Sequence, residues 1–141
     1  MSDTLTQENV GLGTGDAVGP NPGATGLLLA MPRGKDVWLI MPGGYRALVP
    51  GGRTGKTFSN LFLPQATVNE DTDVLDISEE ASITDGAVLV NAGGTIYLIT
   101  GGMAWPVTSG GFSRFQFNSD KVVDIPLVVL NCIPGPAIQW P

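Results

Sequence analysis

Two stretches of the chain share one order of apolar and polar positions. Residues 37–49 read VWLIMPGGYRALV and residues 95–109 read TIYLITGGMAWPVTS, so that each has an apolar run, a Gly-Gly pair and a second apolar run. A Gly-Gly pair between two short apolar runs is typical of a β-hairpin, because glycine adopts the left-handed backbone of a tight turn. The pattern therefore predicts two hairpins about 59 residues apart.

The same pattern extends to the residues around each hairpin. In the first half we predict strands at Gly26–Ala30, Val37–Met41, Tyr45–Val49, Phe58–Leu63 and Val74–Ile77, with one helical turn over residues 78–81. In the second half we predict strands at Ala87–Val90, Thr95–Thr100, Met103–Thr108, Phe112–Phe117 and Val122–Ile125, with a closing strand at Gly135–Ile138. The predicted fold class is all-β. Two tandem repeats, residues 26–85 and 86–141, share one sandwich or barrel-like core because neither buries its apolar face alone.

Residues 1–25 follow a different pattern. They contain five glycines and two prolines, and their isolated apolar residues Leu5, Val10 and Leu12 show no period of a strand or helix. Such a segment cannot bury enough apolar area to offset the entropy lost on ordering. We therefore expect an extended arm that is held in place by a neighbouring subunit.

The charges lie in blocks. The net charge of −6 argues against a nucleic-acid partner, and no apolar run approaches the roughly 20 residues that span a bilayer. Residues 33–56 carry five basic side chains against Asp36, whereas residues 70–85 carry seven acidic ones. The basic residues are Arg33, Lys35, Arg46, Arg53 and Lys56. The two blocks either meet across copies of the chain or form solvated faces of one subunit.

The candidate chemistry is sparse. The chain has no histidine and one cysteine, Cys132 in an apolar stretch, so the usual nucleophilic triads are unavailable. Residues 51–57, GGRTGKT, lack the first glycine of a phosphate loop, which is replaced by Pro50, and we expect no helix after Lys56. The acidic residues 70–76 lack the spacing of a calcium loop and favour a solvated loop. We predict no cofactor and no enzymatic activity.

The segment Tyr97–Phe112, YLITGGMAWPVTSGGF, resembles a short repeat of actinobacterial surface and cell-wall-associated proteins and of structural proteins of their phages. That repeat usually reads Val-Tyr-Leu-x-x-Gly-Gly-x-Arg-x-Pro-Ile-Thr-Ser, followed by a Phe. The likeness covers about residues 26–138, with Trp38 in place of the Tyr in the first half. Ala104 and Trp105 stand where basic residues are common. The resemblance implies a β-rich binding or assembly module and carries no catalytic residues.

These features lead to three functional hypotheses. We expect a non-enzymatic virion protein of a tailed phage, foremost a capsid decoration protein anchored by its arm; a tail-tip or fibre component is the second hypothesis. The third is a cell-wall module that binds glycan through Trp105 or Tyr97. The expected partners are the major capsid or tail protein and further copies of the chain, with assembly in the host cytoplasm. The candidate interface residues are Leu5, Val10, Leu12, Arg33, Lys35, Arg53, Lys56, Trp105 and Trp140.

Overall fold

A computed structural model describes residues 19–80, 82–130 and 133–134. The first half contains strands β1 (Leu28–Ala30), β2 (Val37–Met41), β3 (Tyr45–Val49) and β4 (Val68–Glu70), with helix α1 (Lys56–Leu61) between β3 and β4. The second half contains β5 (Val88–Ala92), β6 (Thr95–Thr100), β7 (Met103–Val107), β8 (Val123–Ile125) and β9 (Ile133–Pro134), with helix α2 (Ser109–Arg114) between β7 and β8. Among these residues no helix is long and apolar enough to cross a membrane.

The strands form two sheets with closely similar topology. The first sheet has the order β3-β2-β1-β4, and the second has the order β9-β7-β6-β5-β8. In each, three strands form an antiparallel meander, and a fourth strand lies parallel to the first of the three, with Leu28 opposite Val68 and Val90 opposite Val123. The predicted β-rich fold class is confirmed, and strands β2, β3 and β6 have the predicted bounds.

Two predicted strands are wrong. The segments Phe58–Leu63 and Phe112–Phe117 were expected to be extended, but helix α1 occupies most of the first and helix α2 occupies half of the second. In α1 the buried residues are Thr57, Phe58 and Leu61, a spacing that places them on one helical face. Helix α2 begins with a side-chain cap, in which the Gly111 amide donates to Thr108 Oγ1 at 3.0 Å.

Helix α1 begins directly after the glycine-rich loop, residues 51–55. The expectation that no helix follows Lys56 is wrong, because α1 begins at that residue. The helix has only six residues, and Pro50 still stands where a phosphate loop needs its first glycine. The loop therefore remains a poor match to a nucleotide site.

The segment after β4 differs from the prediction in three further ways. Strand β4 itself was not predicted, and residues 74–76 form a 3₁₀ turn instead of the start of a strand. Residues 78–80 lie extended beside β3, where the Arg46 amide donates to Ser78 O and the Glu80 amide donates to Arg46 O, both at 3.0 Å. The predicted helical turn over residues 78–81 is therefore wrong for its described part. The predicted strand at Gly135–Ile138 lies outside the described residues.

One apolar cluster joins the two sheets. It contains residues of both sheets and all five phenylalanines of the chain, four of them buried and Phe112 partly buried. The ring centroids of Phe62 and Phe117 lie 5.6 Å apart, and these residues also form an antiparallel backbone bridge. The ring centroids of Phe58 and Phe62 lie 5.1 Å apart, and those of Phe115 and Phe117 lie 5.5 Å apart. The two halves therefore share one core.

A second apolar cluster covers the opposite face of the first sheet. Its buried members are Ala24, Leu29, Trp38, Ile40, Val74 and Ile77. Residues 19–25, which composition assigned to the arm, pack here. The Asn21 amide donates to Gly44 O at 2.8 Å, and Gly19 pairs with Ile77. The first described residues are thus part of the packed structure.

The turns Gly43-Gly44 and Gly101-Gly102 provide a matched test of this packing. A Cβ on Gly44 would overlap the backbone of Asn21 and Pro22, whereas a Cβ on Gly102 would meet nothing within 4 Å. Both glycines have positive φ, so alanine at either position adds strain of about 1–2 kcal/mol. We expect Gly44→Ala to lower the free energy of unfolding by about 1–3 kcal/mol more than Gly102→Ala, as for overpacked sites. Urea unfolding of both variants measures this difference, and equal losses would show that residues 19–25 do not pack on the turn.

Arg46 connects the first sheet to residues 77–80. Its Nε donates to Ile77 O at 2.7 Å, its Nη1 lies 3.4 Å from Glu79 Oε2, and its guanidinium lies 5.4 Å from the centroid of the Trp38 ring. The neighbouring Glu80 has a buried Oε1 with no hydrogen-bond partner in the described structure. Burial raises the pKa of the Glu80 carboxyl.

This raised pKa sets the sign of a pH effect. A carboxyl whose pKa is higher in the folded than in the unfolded chain destabilises the fold while it is charged, and the penalty disappears as the pH falls through the folded pKa. We expect Glu80→Gln to raise the thermal midpoint by a few degrees at pH 7 and to lose this advantage near pH 4. Thermal unfolding across this range, with Glu79→Gln as the control that removes the Arg46 ion pair, tests the sign. A lower midpoint for Glu80→Gln at pH 7 would contradict it.

Candidate assembly surfaces

A cleft with basic side chains lies at one end of the first sheet. It has a volume of about 540 Å³ and lies between the β1–β2 loop, the turn after β3 and strand β4. Arg33, Lys35 and Arg53 line it together with one carboxylate, Glu70. Its apolar lining includes Met31, Val37 and Val68. We call this the basic cleft; three cations against one anion make it attractive to an anionic group.

The cations of the basic cleft differ in how they are held. Arg53 Nη2 donates to Ala66 O at 3.0 Å, and the Arg53 guanidinium lies 5.9 Å from the centroid of the Phe58 ring. Arg33 has the left-handed backbone φ of 62°, which is uncommon for a residue other than glycine. Within the described residues, neither Arg33 nor Lys35 has an ion-pair partner. Two of the three positive charges are therefore free to meet an external anion.

The second sheet has a cleft in the corresponding place, between the β5–β6 turn and the residues after β7. Its volume is about 490 Å³, and its described lining has no charged side chain. Hydroxyl groups of Thr95, Thr108, Ser109 and Ser113 surround it, beside the ring of Phe112. We call this the hydroxyl cleft. The two sheets thus present chemically different clefts on a similar arrangement of strands.

An apolar ridge follows the edge strand of the second sheet. Leu127, Val128 and Val129 form a 3₁₀ turn and are 58%, 90% and 59% exposed, and Val123 of strand β8 is 49% exposed. In the first sheet the corresponding turn, residues 74–76, has its first residue fully buried and ends in an aspartate. Consecutive aliphatic side chains in water mark an interaction surface.

The structure brings together three of the residues predicted for an interface, Arg33, Lys35 and Arg53, in the basic cleft. Lys56 is exposed at the start of α1 and does not line this cleft. Trp105 packs against the shared core, and its Nε1 is buried without a hydrogen-bond partner in the described structure. The remaining predicted residues, Leu5, Val10, Leu12 and Trp140, lie outside the described residues.

Sequence reasoning missed the apolar ridge. Val123 was assigned to a strand, and the aliphatic residues 127–130 were not singled out. An available signal was the run LVVL directly after Pro126, because a proline that ends a three-residue strand leaves no sheet to cover these side chains. The acidic segment 70–76 is only partly a loop, because Glu70 ends strand β4 and residues 74–76 form a 3₁₀ turn. Among the described residues no group of acidic or cysteine side chains is placed to hold a metal.

Comparison with protein-family models, with curated proteins and with solved structures finds no match to this chain. The likeness to the actinobacterial and phage repeat therefore remains a resemblance of sequence pattern.

Proposed function

We propose that the chain is a non-enzymatic structural protein of a tailed-phage virion, foremost a capsid decoration protein. In this proposal residues 26–85 and 86–141 are two tandem β repeats of one sandwich-like domain, and the preceding arm anchors the domain to its neighbours. The observation that carries the proposal is the apolar ridge beside the edge strand β8. A module with such a surface is best suited to permanent contact with another protein.

The ridge has the properties of an assembly contact. Val128 is 90% exposed, and an aliphatic side chain in water gains free energy when another surface covers it. Strand β8 ends the order of the second sheet, and no described strand pairs with its outer side, so a strand of a partner can pair there. Apolar contact and backbone pairing together favour a lasting association over a transient one.

The charge distribution supports the same proposal. The cations of the basic cleft lie on the first sheet, while the ridge lies on the second, so one subunit can contact two different neighbours. A cementing protein needs such separate contacts, because it has to connect subunits of a shell. The tail-tip or fibre alternative uses the same surfaces at a lower copy number.

The copy number in purified particles tests this proposal. We expect quantitative mass spectrometry to find hundreds of copies per particle for a decoration protein. A handful would place the chain in the tail, and none would contradict a virion role. Val128→Asp should reduce incorporation strongly, since it places a charge in the apolar contact. Leu75→Asp, at a residue of the first-sheet turn that is 45% exposed, is the matched control and should incorporate normally.

The hydroxyl cleft favours glycan binding as a second candidate function. Sugars are recognised by hydroxyl groups next to an aromatic ring, and Thr95, Ser109 and Ser113 lie beside Phe112 there. Trp105, one of the two residues predicted for this role, packs against the core instead, so its truncation would also disturb folding.

Ser113→Trp tests glycan binding because a bulky ring would fill the hydroxyl cleft from its exposed rim. We expect it to abolish sedimentation of the full chain with purified cell walls, if this second function is present. Ser59→Trp is the matched control, because Ser59 is also exposed and also follows a phenylalanine of a short helix. Equal sedimentation of both variants and the unchanged chain would exclude this cleft as the glycan site.

A further inference from the structure

We propose that the basic cleft binds the N-terminal residues 1–18 of a second copy of the chain. This inference deepens the proposed function, on which it rests, by naming where the arm attaches. The proposal rests on two features. The cleft has cations without ion-pair partners among the described residues, and a segment of the same chain has charged side chains that are all negative.

The chemistry of the cleft and of the segment is complementary. Residues 1–18 contain Asp3, Glu8 and Asp16 and no lysine or arginine. The cleft offers the cations of Arg33, Lys35 and Arg53, none of which has an ion-pair partner among the described residues. Opposite charges of this kind steer association and set the register of the contact.

The apolar residues also match. Leu5, Val10 and Leu12 alternate irregularly with the acidic residues of the segment. The cleft has an apolar lining of Met31, Val37 and Val68 between its charged side chains. The cleft can bury a few aliphatic side chains in its interior and pair carboxylates with the cations at its rim. It therefore suits a peptide with apolar and acidic residues, such as residues 1–18, better than a small inorganic anion.

The geometry favours a second copy over the same chain. Gly19 pairs with Ile77 beyond β3, and Asn21 bonds to the β2–β3 turn, whereas the cleft lies at the opposite end of the strands beside β4. The outer face of the first sheet, which is the direct path of a returning arm to its own cleft, is already occupied by Ala24, Val74 and Ile77. Eighteen extended residues span up to roughly 60 Å, which is enough to reach a neighbouring molecule.

The contact that results is heterologous. The arm of one copy enters the cleft of the next, and this relation either closes into a ring or continues as an open chain. The hydroxyl cleft of the second sheet does not take the arm, because its described lining has no cation. This difference gives an internal control for the experiment.

Disulfide coupling between two full-length chains tests the inference. In a Cys132→Ser background, one chain carries Thr6→Cys in the arm, and a second, isotope-labelled chain carries Thr54→Cys at the basic cleft, so that each chain has one thiol. We expect the two to couple at least about tenfold faster than Thr6→Cys with Ser113→Cys at the hydroxyl cleft, because docking raises the effective concentration. Arg33→Glu with Lys35→Glu should remove the preference, and so should high salt.

Four outcomes would overturn the inference. Equal coupling to both clefts would show that the arm does not select cations, and coupling that survives charge reversal would show the same. A disulfide that forms only within one chain carrying both Thr6→Cys and Thr54→Cys would show that the arm binds its own cleft. High copy number in particles without arm–cleft coupling would refute this inference alone, whereas coupling without incorporation would refute only the virion role.

Discussion

The contact between Phe62 and Phe117 is the interaction on which the rest of the fold depends. Phe62 directly follows α1 and Phe117 lies three residues after the end of α2. Their rings lie 5.6 Å apart while their backbones pair. A three-stranded meander with one added strand has little core of its own. Because α1 also packs against β5 of the other sheet, the two sheets close over shared apolar side chains rather than over separate cores. Helices α1 and α2 have six residues each and are too short to persist without this packing.

This shared core leaves the outer surfaces of the two sheets free to differ. The first sheet is covered on its outer face by Ala24, Val74 and Ile77, and its charged side chains surround a cleft at one end. The second sheet has hydroxyl groups in the corresponding cleft and exposed aliphatic residues at 127–129. The same arrangement of strands therefore supports two chemically distinct binding surfaces in a small chain.

The parts of the fold that the sequence predicted well are those set by local interactions. The hairpins at Gly43-Gly44 and Gly101-Gly102 follow from glycine turns between apolar runs, and β2, β3 and β6 have their expected bounds. The helices were missed because Phe58 and Phe112 are typical of strands, and only the packing of both sheets makes a helical turn the better way to bury them. Strand β4 was missed because Val68 is its single apolar residue.

The candidate sites show the same division between local and long-range information. Arg33, Lys35 and Arg53 were predicted together because all three belong to the basic block of residues 33–56. The turn after β3 brings Arg53 to the loop that carries the other two. The position of Glu70 in this cleft depends on the parallel pairing of β4 with β1, which brings together residues 40 positions apart along the chain. The exposure of Val128 depends on which apolar side chains are left in contact with water once the two sheets have packed together. A cluster of charges that lie close together in the chain can thus be predicted from sequence. An apolar assembly surface can be identified only when the structure shows which apolar side chains are left outside the core.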